Sequence, residues 1–186
     1  MIARSFLVVI LAYLLAHGVT AWLVTPVQAA YMPEITVYAS LVYLPHGVRV
    51  LAAWLLGWIA IVPLAIGAFL SEFLFTSHDL AHVTDPVLLV SIAVGAVSAP
   101  LAFGVMRLAR PDKRPDGRPN VHWTWLLLAG AIASVLNSVG QSMVFSGSLL
   151  PGLPLSVTVV YGVGDLIGLI VTTLALMLLF RAMRER

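Results

Sequence analysis

Four polar side chains lie inside long apolar stretches of this 186-residue chain, where they could hold a charged or polar group. They are His46, Arg49, Asn137 and Asp165. His46 and Arg49 are three residues apart, so they share one face of a helix. If these stretches cross a membrane, a charge within them is costly and is expected to face a partner or a water-filled cavity. The four residues therefore form the candidate site, either as a buried ion pair or as a ligand-binding pocket.

Composition places the chain in a membrane. Apolar residues make up 61% and charged residues 10%, against roughly 25% charged residues in ordinary soluble domains. The chain contains no cysteine, which excludes disulfides, thiolate metal sites and cysteine nucleophiles. The net charge of +2 comes from basic clusters at predicted helix ends, so it indicates topology and not nucleic-acid binding.

The apolar runs predict a single integral membrane domain, residues 1–186, that is all-α. Each run is long enough to approach the ~20 residues that a spanning helix needs. A tight turn near Gly57 divides the longest run into two. The result is a bundle of about six transmembrane helices, at residues 2–24, 35–56, 58–75, 87–108, 123–145 and 155–180.

The basic residues predict the orientation of this bundle. Half of the 10 Lys and Arg lie in residues 107–118, a Pro- and Gly-containing loop, and others lie at the two termini. Because Lys and Arg concentrate on the cytoplasmic side, both termini and the basic loop are expected in the cytoplasm. The protein is then a multi-pass protein of the cell membrane, expected in a bacterial inner membrane.

Counting along the predicted helices gives the depth of the candidate site. His46, Asn137 and Asp165 each lie about ten residues from an outer helix end, roughly 15 Å deep in a ~30 Å core. Arg49 lies one turn closer to the cytoplasm. This count predicts that Arg49 and Asp165 are direct partners and that His46 borders the same site. It does not distinguish a purely structural pair from a binding pocket.

Proline and glycine residues near these side chains are predicted to break the helices. Pro45 and Gly47 flank His46, and Gly164 and Gly168 flank Asp165. Proline removes a helical hydrogen bond, and glycine has a low helix propensity. Small residues also recur at four-residue spacing, which predicts close packing of the fourth and fifth helices. These stripes are Ser91-Gly95-Ala99 and Gly130-Ser134-Ser138.

Other motifs carry little chemistry. His78 and His82 have the spacing of two metal ligands on a helix. They lie in a predicted loop without a third ligand, so they are a weak candidate and no metal site is predicted. No cofactor is expected, and no nucleophile–base pair indicates an enzyme.

Two stretches resemble the MASE1 family of integral membrane sensor domains. The first is Pro45-His46-Gly47 followed by Gly57-Trp58 and then Pro63 to Gly67, and the second is Gly164-Asp165 with Gly168. The resemblance implies a sensory or ligand-binding membrane module. That family normally carries a kinase or cyclic-dinucleotide enzyme, which these 186 residues do not include, so a separate signalling partner is implied.

Three functions fit the sequence. The first is a non-enzymatic sensory or ligand-binding module with a polar site between helices 2, 5 and 6. The second is a substrate-binding or small-solute transport subunit, and the third is an accessory subunit of a larger membrane complex. The expected partners are the lipid bilayer, another membrane or signalling protein, and a small-molecule ligand in the first two cases.

Overall fold

A computed structural model describes residues 2–36, 40–76, 84–109, 123–146 and 155–184. Every regular element within these residues is helical. Five segments are long and apolar enough to cross a membrane: Ile2–Tyr31, Leu44–Thr76, Pro86–Leu108, Thr124–Val144 and Val159–Arg184. The prediction of an all-α, multi-pass membrane protein is therefore confirmed.

The first segment is a continuous helical run with a wider turn inside it. α1 (Ile2–Val19) leads through a π-helical turn, Thr20–Val24, into α2 (Thr25–Tyr31). At the junction the N–H and the hydroxyl of Thr25 both donate to the carbonyl of Thr20, five residues back. That spacing defines a π turn, which is often found at functional sites. A single-turn helix, α3 (Pro33–Thr36), follows.

The second segment divides into two helices at Gly57. α4 (Leu44–Leu56) ends there, a 3₁₀ turn (Gly57–Ala60) follows, and α5 (Ile61–Ser71) continues into a π turn, Glu72–Thr76. Gly57 has a φ of 63°, in the left-handed region that glycine adopts without steric cost. A break near this residue is what the sequence predicts.

The predicted second helix, residues 35–56, is shorter in the structure. Residues 40–43 are not helical, and α4 begins at Leu44 with Pro45 in its first turn. The backbone of residues 40–43 is bonded to other parts of the chain. The N–H of Leu41 donates to the side-chain oxygen of Gln28, and the N–H of Tyr43 donates to the carbonyl of Gly164. Pro45 thus starts a helix and does not interrupt one, because a first-turn proline lacks an N–H that would be unpaired anyway.

Three long helices complete the bundle. They are α6 (Pro86–Ala109), α7 (Trp123–Ser146) and α8 (Leu155–Arg184). The predicted breaks at Gly164 and Gly168 are wrong, since α8 is helical through both. Gly47 likewise lies inside α4. These glycines have a packing function, described below, and do not break their helices.

Contacts between helices fix their relative directions. Leu44 of α4 meets Thr20 in the π turn after α1, and Arg49 meets Tyr13 within α1, so the two helices are antiparallel. Gly67 of α5 lies against Tyr13, and Phe75 of the following π turn lies against Gly18. α5 therefore runs parallel to α1 and antiparallel to α4.

The remaining helices continue this alternation. α6 runs parallel to α4, since Gly95 faces Arg49 and Gly104 faces Trp58. α8 also runs parallel to α4, and α7 is antiparallel to α8. We call the end of the bundle that holds Tyr31, Thr76 and Leu88 the outer end, because the sequence predicts that it faces away from the cytoplasm.

α6 and α7 pack side by side, but their small residues are used differently from the prediction. Ala99 of α6 and Ala133 of α7 belong to one buried cluster. Gly140 of α7 has no side chain, and Val94 of α6 packs in the space that a Cβ there would occupy. Gly95, however, faces Arg49, and Gly130 faces Leu169 of α8. The small stripes therefore bring α6 and α7 against α4 and α8 as well as against each other.

Candidate functional site

Asp165, His46 and Asn137 form one buried polar group between α8, α4 and α7. Asp165 Oδ2 lies 3.3 Å from His46 Nδ1 and accepts a hydrogen bond of 3.1 Å from Asn137 Nδ2. The histidine contact is an ion pair by distance, although it does not meet hydrogen-bond geometry. His46 Nε2 lies 3.2 Å from the carbonyl of Gly130. A carbonyl can only accept, so Nε2 carries the proton.

Arg49 is held by two tyrosines. Its Nη2 donates to the hydroxyl of Tyr13 at 2.7 Å and to that of Tyr43 at 3.4 Å. Its Cζ lies 5.6 Å and 5.3 Å from the two ring centroids, within the range of cation–π attraction. On its other side the guanidinium packs against Gly95. The side chain is 5% exposed, so it is fixed inside the bundle.

The predicted direct pairing of Arg49 with Asp165 is not what the structure shows. Among the described residues, the salt bridge of Asp165 is with His46, and Arg49 bonds to tyrosines. Counting residues from a helix end gives height along the bundle but not rotation about the helix axis. His46 therefore faces α7 and α8, whereas Arg49, one turn further along α4, faces α1 and α6.

Glycines let α4 and the segment before it lie directly on α8. A Cβ on Gly164 would overlap the carbonyl of Ser40, and one on Gly168 would overlap that of Tyr43. A Cβ on Gly47 would reach Thr172, whose hydroxyl donates to the carbonyl of Leu44 at 3.1 Å. This close approach places the start of α4 opposite the middle of α8 and brings His46 to Asp165.

The polar group extends toward the outer end through α7 and α6. Gln141 lies one turn beyond Asn137 and its Nε2 is 3.4 Å from Asn137 Oδ1. Gln141 also accepts a hydrogen bond of 2.8 Å from Ser91 and donates to the carbonyl of Ser91. Gln141 thus links Asn137 of α7 to Ser91 of α6 by hydrogen bonds.

A cavity of about 680 Å³ extends from this polar group toward the outer end of the bundle. At its inner part it is lined by Tyr13, Tyr43, Arg49, Asn137 and Asp165. Nearer the outer end it is lined by residues that include Thr25, Thr36 and Thr76. Its size falls in the range of small-molecule pockets, about 300–1,000 Å³. The cavity therefore connects the outer end of the bundle with the two buried charged groups.

Three residues that line the cavity each have a buried polar atom without a hydrogen-bond partner among the described residues. These atoms are Arg49 Nε, Asp165 Oδ1 and His17 Nδ1. Most buried polar groups in folded proteins are hydrogen-bonded, and exceptions call for an explanation such as a bound water, ion or ligand. All three residues line the cavity.

No family model, no curated protein and no solved structure matches the chain. The site therefore has to be interpreted from its own residues.

Three aromatic residues of the site are missing from the sequence prediction. Tyr13 and His17 are one turn apart on α1, and Tyr43 precedes Pro45. His17 stacks on Phe75 at 5.7 Å and meets Tyr43 edge-on at 6.3 Å. The spacing of Tyr13 and His17 on one helix face was a usable signal. Tyr43 had none, because interfacial tyrosines are common in membrane proteins.

The weak metal candidate, His78 and His82, lies outside the described residues. Within residues 2–36, 40–76, 84–109, 123–146 and 155–184, no group of three His, Asp or Glu side chains is arranged to hold a metal ion.

Proposed function

We propose that the protein is a non-enzymatic, membrane-embedded ligand-binding module. It binds a small polar solute that enters the cavity from the outer side. The observation that carries this proposal is the 680 Å³ cavity with Arg49 and Asp165 at its inner part. Pockets of this kind combine apolar walls with a few placed polar groups, which give orientation and specificity. Intramembrane charges of this kind mark functional sites in membrane proteins.

The unpartnered atoms favour binding over a purely structural ion pair. A structural network is stabilising when every member is satisfied, and a partly satisfied one is costly. Here Arg49 Nε and Asp165 Oδ1 are buried without partners. A ligand that completes these hydrogen bonds accounts for the cost, whereas a structural role leaves it unexplained.

The proposal includes a topology and a location. We propose six transmembrane helices, with α4 and α5 counted separately, and both termini in the cytoplasm of a bacterial inner membrane. The alternating directions of the helices and the exposed Arg181 and Arg184 at the inner end of α8 support it, because basic residues concentrate on the cytoplasmic side.

We further propose that the module signals as a MASE1-like sensory domain would, through a separate membrane or signalling protein. The support is the resemblance carried by Pro45-His46-Gly47, Gly57-Trp58 and Gly164-Asp165. Two of these stretches meet in the structure at the His46–Asp165 pair. A ligand in the cavity, which α4 and α8 both line, would then act on the contact between these helices.

One observation favours a transport subunit as a second candidate. α4 has 13 residues, about 20 Å at 1.5 Å per residue, and it begins opposite the middle of α8 behind the non-helical residues 40–43. Discontinuous helices of this kind form the substrate sites of many secondary transporters. Irregular backbone is tolerated at membrane depth where it lines a cavity.

A single-cysteine assay tests the binding proposal. The chain has no cysteine, so Ala21→Cys in the cavity wall gives one labelling site for a membrane-impermeant maleimide. We expect labelling from the outer side, and slower labelling in the presence of a bound solute. A control, Tyr31→Cys at the exposed outer end of α2, should be labelled equally fast with and without the solute. If no class of solute protects Ala21→Cys, the proposed function is wrong.

Uptake measurements separate the two candidates. Purified protein reconstituted into proteoliposomes should bind a protecting solute without accumulating it if the protein is a sensor. Accumulation of that solute, lost in Arg49→Gln, would instead support transport.

A further inference from the structure

We infer that Arg49, Tyr13 and Tyr43 form a subsite for the carboxylate of a small polar solute. This inference rests on the proposed function, because it assigns one end of the ligand that the cavity would bind.

In the part of the chain that the structure describes, no carboxylate forms a salt bridge with Arg49. Among the described residues its hydrogen bonds go to the hydroxyls of Tyr13 and Tyr43, and the one carboxylate at the inner part of the cavity, Asp165, pairs with His46. An arginine side chain remains protonated in proteins. A permanent cation in the bilayer core that borders a cavity favours a ligand with an anionic group, which can bond to it directly.

The tyrosine hydroxyls add a donor beside this charge. Each hydroxyl accepts from Arg49 Nη2, which leaves its own proton for another acceptor. The two oxygens are 3.3 Å apart, so one hydroxyl can donate to the other. One hydroxyl proton then remains without an acceptor within the trio. A guanidinium next to a phenolic O–H is a combination suited to an anionic oxygen.

The guanidinium is also held in one position. Gly95 touches it from α6, and the tyrosine rings lie on the other side. The Tyr13 ring is itself buried, at 1% exposure, and packs on Gly67 of α5. Preorganised donors bind more tightly than flexible ones, because less side-chain entropy is lost on binding.

The surrounding charges favour one carboxylate over a phosphate. Asp165 and Glu72 also line the cavity, and a second negative charge on the ligand would be repelled by them. The rest of the lining is a mixture of apolar and polar side chains, with Asn137, Gln141 and Ser91 among the polar ones. These amides and hydroxyls suit hydroxyl or amino groups on the remainder of the solute.

The test uses protection of Ala21→Cys in the full chain by a defined set of probes. The carboxylates are acetate, lactate and L-alanine. In propane-1,2-diol a neutral hydroxymethyl group replaces the carboxylate of lactate. Inorganic phosphate and choline test a multiply charged anion and a cation. All are compared at equal ionic strength with sodium chloride. We expect lactate or L-alanine to slow labelling, and propanediol, phosphate and choline to leave it unchanged.

Variants then assign the effect to the subsite. Tyr13→Phe keeps the ring and removes the hydroxyl, and should weaken carboxylate protection by about tenfold, the usual cost of a hydrogen bond to a charged group. Arg49→Lys keeps the positive charge but loses the planar set of guanidinium N–H donors, and it should weaken carboxylate protection as well. Tyr31→Phe, which removes an exposed hydroxyl outside the cavity at the outer end of α2, is the control and should bind carboxylates normally. Melting curves of each variant identify those that fail to fold.

The outcomes separate this inference from the proposal beneath it. Protection by propanediol, choline or phosphate but by no carboxylate would overturn the subsite and leave the ligand-binding function standing. Carboxylate protection that is unchanged in folded Tyr13→Phe and Arg49→Lys would also overturn the subsite. Protection by none of the probes would count against both.

Discussion

Asp165 Oδ2 lies 3.3 Å from His46 Nδ1, while Asp165 Oδ1 is buried without a partner. Oδ2 of this carboxylate thus contacts other residues of the protein, and Oδ1 could accept a hydrogen bond from a ligand. His46 Nε2 donates to the carbonyl of Gly130. The imidazole is thus anchored to α7 on one side and lies against Asp165 of α8 on the other.

The first prediction concerns the energetic coupling of this pair. Asp165→Ala should lower the free energy of unfolding by about 3–5 kcal/mol, because it leaves His46 Nδ1 and Asn137 Nδ2 without their shared partner. Asp165→Asn should cost less, since an amide of the same shape keeps one of these two contacts. Reversible denaturation in mixed micelles measures these values. A double-mutant cycle of His46→Ala with Asp165→Ala should give a coupling of about 0.5–3 kcal/mol.

The same cycle for Arg49→Ala with Asp165→Ala should give a smaller coupling. A larger value for the arginine pair than for the histidine pair would contradict the arrangement described here and favour direct contact between Arg49 and Asp165.

A second prediction tests the close approach of residues 40–43 to α8. Gly164→Ala and Gly168→Ala each introduce a methyl group against a backbone carbonyl, and overpacking of this kind costs about 1–3 kcal/mol. Gly162→Ala is the matched control on the same helix, since its nearest neighbour would be a serine oxygen at an ordinary 3.7 Å. Equal melting temperatures for all three variants would mean that this segment does not lie on α8.

The success and failure of the sequence predictions have physical reasons. Apolar composition predicts the membrane segments, and the helix-averse Gly57 predicts the break between α4 and α5. The non-helical residues 40–43 could not be predicted, because their hydrogen bonds run to Gly164 and Gln28, far away in sequence. A local pattern carries no information about such partners.

The candidate site shows the same limit. Depth counting places His46, Asn137 and Asp165 at one level, and the structure brings these three into contact. Depth counting assigns Arg49 the wrong partner, because depth says nothing about the rotation of α4 about its axis. That rotation depends on how closely α4 packs on α8 at Gly47, Gly164 and Gly168. Tyr13 and Tyr43 enter the site only through that rotation.

A third prediction tests the topology by labelling. Engineered cysteines at Asp112 and Ser148, both outside the described residues, should differ in access to an impermeant maleimide added to intact cells. Position 148 should label and position 112 should label only after the membrane is permeabilised, because the loop around 112 is basic. Labelling of position 112 from outside would contradict six helices with cytoplasmic termini.

A fourth prediction concerns the turn at Gly57. Gly57→Ala meets no steric contact, since no atom lies within 4 Å of the added Cβ. Its φ of 63° is nevertheless unfavourable for alanine, by about 1–2 kcal/mol. Gly57→Asn should cost about as much, because a ψ of −138° lies outside the αL region that asparagine tolerates. Unfolding in mixed micelles should rank glycine above both variants, and an equally or more stable alanine variant would contradict the turn.

The fifth prediction links Gly95 to Arg49. A Cβ on Gly95 would lie 2.7 Å from Arg49 Nη2 and 2.9 Å from its Cζ, so Gly95→Ala must displace the guanidinium from the two tyrosines. We expect a loss of stability of about 1–3 kcal/mol, typical of overpacking. In an Arg49→Met background the same substitution should cost much less, because the flexible thioether can move aside. Gly104→Ala, which faces Trp58 on the same helix, is the control and should cost the same in both backgrounds. If Gly95→Ala has equal effects with arginine and methionine at position 49, the methyl group meets something other than Arg49, and the guanidinium does not lie between α6 and the tyrosines.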